Sequence, residues 1–321
     1  MSVIERLDRF QRGHPRAGMP IAVVYKFVDD QGSYLAALIT YYGFLSIFPL
    51  LLLSSTILSF VLEGHPALQR ELLDSALGQF PIVGSQLADP SGMTASGIGL
   101  VVGILGTLYG GLGVTQAAQN AMNTIWRVPR NNRPNPLASR GRGLLLLSVV
   151  GLAVVGSTAL AALGSVVDGF GIGAKILLGL ATLAVNAAVF TVAFRVATVR
   201  PVTWRESAPG AVIAAVIWQL LQYVGAIYVG HVVRHATAIN GVFAIVLGLI
   251  AWIYLESFVV VLAAEYNSVR ALGLFPRALL TPFTDDVELT PADEASYAQQ
   301  AKAQRAKGFQ QITVSFETTD E

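Results

Sequence analysis

Cysteine is absent from this chain of 321 residues. Disulfides, thiolate metal sites, cysteine nucleophiles and cysteine-anchored lipids are therefore excluded. Charge is scarce as well: Asp, Glu, Lys and Arg make up 13% of the residues, about half of what a soluble domain carries. The net charge is +1, so there is no global basic field of the kind that holds nucleic acid, and no nucleic-acid partner is expected. The sequence also lacks a P-loop, a Gly-x-Ser-x-Gly elbow and a His-Glu-x-x-His helix. No enzyme activity, cofactor or metal site is expected on those grounds. A secretory leader is not expected either, because the first apolar run starts at Tyr34 and far exceeds an h-region of roughly 7–15 residues.

What the chain has is apolar length. Hydrophobic residues make up 54% of it, and six long runs stand out, at about 34–62, 97–117, 143–167, 172–194, 207–229 and 240–264. A helix of about 20 residues crosses a ~30 Å hydrocarbon core, and each run is that long. Of the 21 Lys and Arg, 18 fall in alternate gaps: the N-terminal arm, the gaps after the second and fourth runs, and the tail. The other three gaps, with their flanking turns, hold Arg70, Lys175 and Arg234, one each. Basic loops stay cytoplasmic. The pattern predicts an all-α polytopic membrane protein, a six-transmembrane-helix bundle with short amphipathic surface helices and both termini cytoplasmic. Residues 1–33 would form an amphipathic cytoplasmic arm, 34–275 the transmembrane domain, and 276–321 a polar, mobile cytoplasmic tail. Membrane lipids are the expected partners; the oligomeric state is not readable.

Local signals refine this picture. In the arm, Ile4, Leu7 and Phe10 recur at helical spacing, which suits packing against the bundle better than lying on the membrane. Pro49 inside the first run removes a backbone hydrogen bond and predicts a structural kink. The long gap at 63–96 predicts an external amphipathic helix through Leu68, Leu72 and Leu73. Gly99, Gly103, Gly106, Gly110 and Gly113 are spaced four, three, four and three apart, a one-sided seam against which a neighbouring helix packs closely. Thr290-Pro291 followed by Asp293 and Glu294 is a helix start, with Gly308 as the stop.

Ionisable and amide groups within the apolar runs need a reason, since a central charge costs about 2.5–3.5 kcal/mol on insertion scales. Glu256 is the deepest, set between a hydrogen-bonded structural role and a proton- or cation-coupled site. Glu265 ends the sixth run beside Asn267, and Arg195 leaves the fourth at matching depth, which predicts a structural ion pair between Arg195 and Glu265. Gln116, Gln119, Asn120 and Asn123 share one helix face. Gln219 and Gln222 give the fifth run a polar edge, as Thr40, Tyr41, Tyr42 and Ser46 do for the first. Amide bonds between helices explain these groups; an inward-facing polar cavity is the functional alternative. The candidate path through it is Glu256, Glu265, Asn267, Asn120, Gln116, Asn123, Tyr41 and Gln219. His231 and His235 stand four residues apart, but no third ligand of clear spacing accompanies them, so metal binding is not expected.

Four stretches carry a family resemblance: 37–50 (Ala-Leu-Ile-Thr-Tyr-Tyr-Gly-Phe-Leu-Ser-Ile-Phe-Pro-Leu), 121–126 (Ala-Met-Asn-Thr-Ile-Trp), 201–210 from Pro-Val-Thr-Trp to Pro-Gly, and 252–267 from Trp-Ile-Tyr to Ala-Glu-Tyr-Asn. They resemble the YihY/BrkB family of bacterial inner-membrane proteins over about residues 30–275. Ala264 stands where that family more often has glycine. The resemblance implies six helices in a bacterial cytoplasmic membrane and little about activity. Some members bear an older ribonuclease label, yet the chain shows neither a metal cluster nor an acid–base pair beside basic phosphate contacts. A transporter or exporter of an amphiphile or small organic solute is the leading expectation. A non-transporting scaffold for envelope integrity is the alternative.

Overall fold

The structure is a computed structural model that describes residues 3–61, 97–167, 171–232, 238–284 and 287–316. Among these residues every regular element is helical. The arm forms α1 (Val3–Gly13) and α2 (Pro15–Asp29). Pro15 sits in the first turn of α2, where its missing N–H leaves no bond unmade. The long helices are α3 (Gly32–Val61), α4 (Gly97–Ile125), α5 (Pro136–Val167), α6 (Ile172–Ala197), α7 (Trp204–Val232) and α8 (Ala238–Leu272), and α9 (Pro291–Ala303) lies in the tail. The expected external helix at 63–96 and the pair His231 and His235 lie outside the described residues or side chains.

Several helices outrun their apolar segments. α4 continues two turns past 117, α8 two turns past 264, and α5 starts about two turns before 143. Hydropathy marks only the part of a helix that suits hydrocarbon; the backbone hydrogen-bond ladder continues through the polar turns beyond it. Those extra turns carry most of the polar side chains discussed below.

Neighbouring long helices pack in chain order from α3 to α8, and α8 returns to pack on α3 as well as α7. α4 also touches α6 and α8, and α2 lies against α8. A close approach joins α3 to α4. A Cβ added to Gly106 would lie 2.7 Å from the Pro49 ring, one on Gly110 2.6 Å from Ser46 Cβ, and one on Gly113 2.2 Å from the Tyr42 ring. Numbers rise along α4 as they fall along α3, so the two helices run antiparallel with the glycine seam between them. Gly32 meets a similar constraint at the α2–α3 turn, where a Cβ would strike the Phe27 ring at 2.4 Å.

Four segments among the described residues are long and apolar enough to span a membrane: Pro136–Val154, Ile172–Ala197, Trp204–Gly225 and Val246–Leu272. Gly32–Ile47 is apolar but shorter. They occupy different depths, since 44% of the α8 segment is buried against 6% of the α6 segment. α8 is thus the inner helix, and α6 presents an outer face that includes exposed Ile176, Leu177 and Leu180. Leu144, Leu145 and Leu152 extend this surface on α5, and Leu220 and Tyr223 on α7. Apolar exposure on that scale needs lipid rather than water around it.

The main core gathers at the end of the helices nearest the arm. Phe27, Ile125, Trp126, Phe194, Val202 and Val261 all pack there. Part of the tail, within 277–303, is docked. Arg277 is 1% exposed, and Asp293 and Ser296 are fully buried. α9 starts as its sequence indicates, with a capping box in which Thr290 and Asp293 bond reciprocally. It ends at Ala303, before Gly308.

Candidate functional site

At the arm end, α4 stops at Ile125 and leaves terminal carbonyls that need donors. Lys26 supplies one from α2, its Nζ donating to the Ile125 carbonyl at 2.8 Å. The same ammonium donates to Asp30 Oδ2 at 2.6 Å and to Glu265 Oε2 of α8 at 2.7 Å. Ser268 Oγ donates to that Ile125 carbonyl as well, at 2.9 Å. Arg127 completes a quartet: its Nη1 lies 2.6 Å from Asp30 Oδ1, close enough for an ion pair but not aligned as a hydrogen bond. Two cations and two carboxylates, with side chains between 0% and 5% exposed, thus join α2, α4 and α8. A cation at a helix C-terminus also offsets the helix dipole.

This arrangement corrects the expected pairing of Arg195 with Glu265. Lys26 takes Glu265. Arg195 turns instead to the loop after its own helix, where Nε donates to the Val202 carbonyl at 2.8 Å and the guanidinium lies 4.0 Å over the Trp204 ring. Depth in the bundle matched the two residues, but the arm, which hydropathy leaves out, supplies the nearer cation.

Two amides on the candidate path, Asn267 and Asn123, act as staples between elements. Asn267 Oδ1 accepts the Gly210 N–H at 2.7 Å, and its Nδ2 donates to the Ser207 carbonyl at 2.8 Å. Pro209 within α7 leaves the Arg205 carbonyl without its ladder donor, and Arg270 Nη1 of α8 donates to that carbonyl at 3.0 Å. Close approach makes Gly210 necessary, since a Cβ there would lie 2.2 Å from the Ala263 carbonyl. Asn123 Oδ1 accepts the Val199 N–H at 3.0 Å, tying α4 to the turn after α6. Gln119 and Ser139 bond α4 to α5. The stretches 121–126, 201–210 and 252–267 therefore meet in one polar joint.

Convergence on a single inward cavity is not what the structure shows. Asn120 Oδ1 accepts from Arg133 at 2.9 Å, Gln116 is exposed, and Gln219 is half-buried. Tyr41 is exposed with its ring edge-on to Tyr42. Glu256 stands apart. It is 8% exposed, and its Oε1 accepts from Trp252 Nε1, one turn back on the same helix, at 2.7 Å. The seam glycines Gly106, Gly110 and Gly113 pack against α3, and Gly103 is buried; the surroundings of Gly99 lie outside the described residues.

A cavity of about 420 Å³ does open beside the quartet, and of the path residues it includes Asn120 alone. Arg127, Arg130, Arg133 and Thr124 share its wall with Asn120, while Asp29 and Asp30 face them from α2. Gln300 and Gln304 bring α9 into the wall. Sequence reasoning missed Lys26, Asp30 and Arg127. One signal was available: Lys26 and Asp30 stand four residues apart on the arm's second helix.

Arg277 anchors the tail. It donates to Asp293 through Nε and to Asp29 through both Nη atoms at 3.2 Å. Burial works against its charge, but the bond to Asp293 and the two nearby carboxylates hold its pKa above the ordinary value. Asp8 of α1 accepts the Leu279 N–H at 3.0 Å. Partial burial raises the Asp8 carboxyl, yet bonds from Gln11, Leu279 and Arg12 outweigh it and hold it below the usual range.

Comparison with known proteins accords with the motifs assembled in this joint. The family described as Virulence factor BrkB matches residues 23–277. A UPF0761 membrane protein of Stenotrophomonas maltophilia is 28% identical over 77% of this chain and 59% of its own length. A UPF0761 membrane protein of Azotobacter vinelandii is 26% identical, covering 75% of this chain and 60% of that one. One from a Psychrobacter species is 28% identical over 83% and 52%. The chain thus spans somewhat more than half the length of these relatives. No solved structure matches it. The match extends from within α2 to the residue that anchors the tail, and the chain belongs to the BrkB family of membrane proteins.

Proposed function

We propose that the chain spans a bacterial cytoplasmic membrane six times, with both termini inside, and carries an amphiphile or small organic solute. Direct contact among the segments expected to lie inside supports this topology. The arm bonds to the tail through Asp29 and Arg277, the loop after α4 bonds to the tail through Asn131 and Arg305 at 3.2 Å, and Arg200 lies 5.1 Å over the Trp126 ring. One face therefore collects the basic segments, as the positive-inside rule requires.

Glu256 carries the transport reading. The other acidic path residue, Glu265, is committed to a charge network that joins three helices, whereas Glu256 is bonded from its own helix. Among the described residues Glu256 has no hydrogen bond to another helix, and a carboxyl so placed in an apolar span is suited to coupling. This reading assigns the chain no catalysis and no cofactor. Glu256→Gln keeps an acceptor for Trp252 at nearly constant volume, so the variant should fold and melt close to wild type while losing solute flux in proteoliposomes. Undiminished flux would rule the role out. A scaffold for envelope integrity is the second reading, supported by the ordered platform of arm and tail. It predicts that Glu256→Gln is silent and that removal of residues 288–321 is not.

A further inference from the structure

The cavity beside the quartet has no part in the transport reading, and its walls have a chemistry of their own. Three arginines line it: Arg127, Arg130 and Arg133. Arg127 has a side chain 5% exposed, and among the described residues its Nε and Nη2 have no hydrogen-bond partner. Buried donors left unsatisfied are costly, and native structures rarely leave them so. Arg133 is held in place by neutral acceptors: Asn120 Oδ1 at 2.9 Å, Thr124 Oγ1 at 3.3 Å and the Val128 carbonyl at 3.4 Å. Its charge is oriented without being neutralised. Among the described residues no carboxylate pairs with Arg130 or Arg133, and burial together with Arg130 lowers the pKa of Arg133.

The two carboxylates opposite are already engaged. Asp29 lies 3.2 Å from Arg277, and Asp30 is shared between Lys26 and Arg127. Burial, more than any neighbour, keeps the Asp29 carboxyl above its usual range, with Arg277 pulling it back down. The field facing the cavity is therefore cationic. Backbone conformation adds a further mark. Gln31 and Arg127 are non-glycine residues held at φ 56° and 54°, and both line this cavity. Such left-handed residues tend to persist where the surroundings fix a site.

We infer that this cavity binds a phosphate-type oxyanion, presented either by a soluble phosphorylated molecule or by a lipid headgroup. Guanidinium forks match phosphate oxygens bidentately, and about 420 Å³ accommodates a phosphate or diphosphate group. Gln300 and Gln304 would close the site from the tail, so occupancy would also hold α9 against the loop after α4. The site stands independently of transport, and Glu256→Gln leaves it intact.

The test uses the full chain in detergent, titrated calorimetrically with inorganic pyrophosphate at constant ionic strength, and the same chain released from phosphatidylglycerol nanodiscs into a native mass spectrometer. Arg130 is exposed, so Arg130→Gln should fold; Arg133→Gln is the second variant, and Arg140→Gln, exposed on α5, is the control. Saturable pyrophosphate binding that weakens about tenfold in Arg130→Gln and Arg133→Gln, but not in Arg140→Gln, establishes a site for soluble phosphate. Retention of phosphatidylglycerol with the same variant pattern, without pyrophosphate binding, assigns the site to a headgroup. Binding of neither probe, or binding equal in wild type and in both cavity variants, overturns the inference.

Discussion

Lys26 holds three buried oxygens: those of Asp30, Glu265 and the last carbonyl of α4. A buried ion pair adds little net stability compared with an apolar replacement of the whole group, but removing one partner leaves the others charged and alone. Lys26→Met should therefore cost about 3–5 kcal/mol, seen as a large fall in melting temperature in detergent. The double variant Lys26→Met with Glu265→Leu should recover part of that loss, because one orphaned carboxylate is removed as well. A double variant no more stable than the single one would show that the quartet does not act as a unit. At this scale the sequence is legible in part. The position of Glu265 at a span end can be read directly, but its partner lies 239 residues away in a segment that hydropathy excludes. Pairings of that kind depend on tertiary geometry, to which periodicity is blind. Asn267 and Gly210 present the same difficulty, 57 residues apart.

Among the elements, α3 and α4 show how much a one-dimensional pattern conveys. Steps of four and three put the α4 glycines on one face, which the spacing alone reveals. That the face receives Tyr42, Ser46 and Pro49 of α3 becomes visible only when the helices are seen side by side. Packing this close derives its strength from van der Waals contact and tolerates no added bulk. Gly113→Leu should cost about 1–3 kcal/mol by overpacking, whereas Gly151→Leu, where a Cβ meets nothing within 4 Å, should be close to neutral. Comparison of their melting temperatures checks this, and equal losses would refute the seam. Helix ends were the least legible feature, because α4, α5 and α8 continue as polar turns beyond the apolar stretch. The start of α9 was the most legible, since capping depends on neighbours three residues apart.

On the scale of the whole molecule, arm, loop and tail form one platform under the helix ends. Composition points to a mobile tail because it counts apolar residues, but it cannot see the polar bonds that hold the part around 277–293: Arg277 with Asp29 and Asp293, and Asp8 with the Leu279 amide. Asp293→Ala would remove one half of the capping box of α9 and the acceptor of Arg277 Nε together, leaving Arg277 only its weaker hold on Asp29 and Ser296. Hydrogen exchange should then rise across 277–303 while the cores of α5 to α8 stay protected; unchanged exchange would contradict the docking. Topology is the claim from which the functional reading follows, and a chain without cysteine is a clean background for testing it. The decisive measurement is labelling of single-cysteine variants with a membrane-impermeant maleimide, in intact cells and in inverted vesicles. Arg140→Cys and Gly308→Cys should label only in inverted vesicles, and Ser85→Cys and Thr237→Cys only in intact cells. Labelling of all four from the same side, or of Arg140→Cys and Gly308→Cys from opposite sides, would contradict six spans with both termini inside.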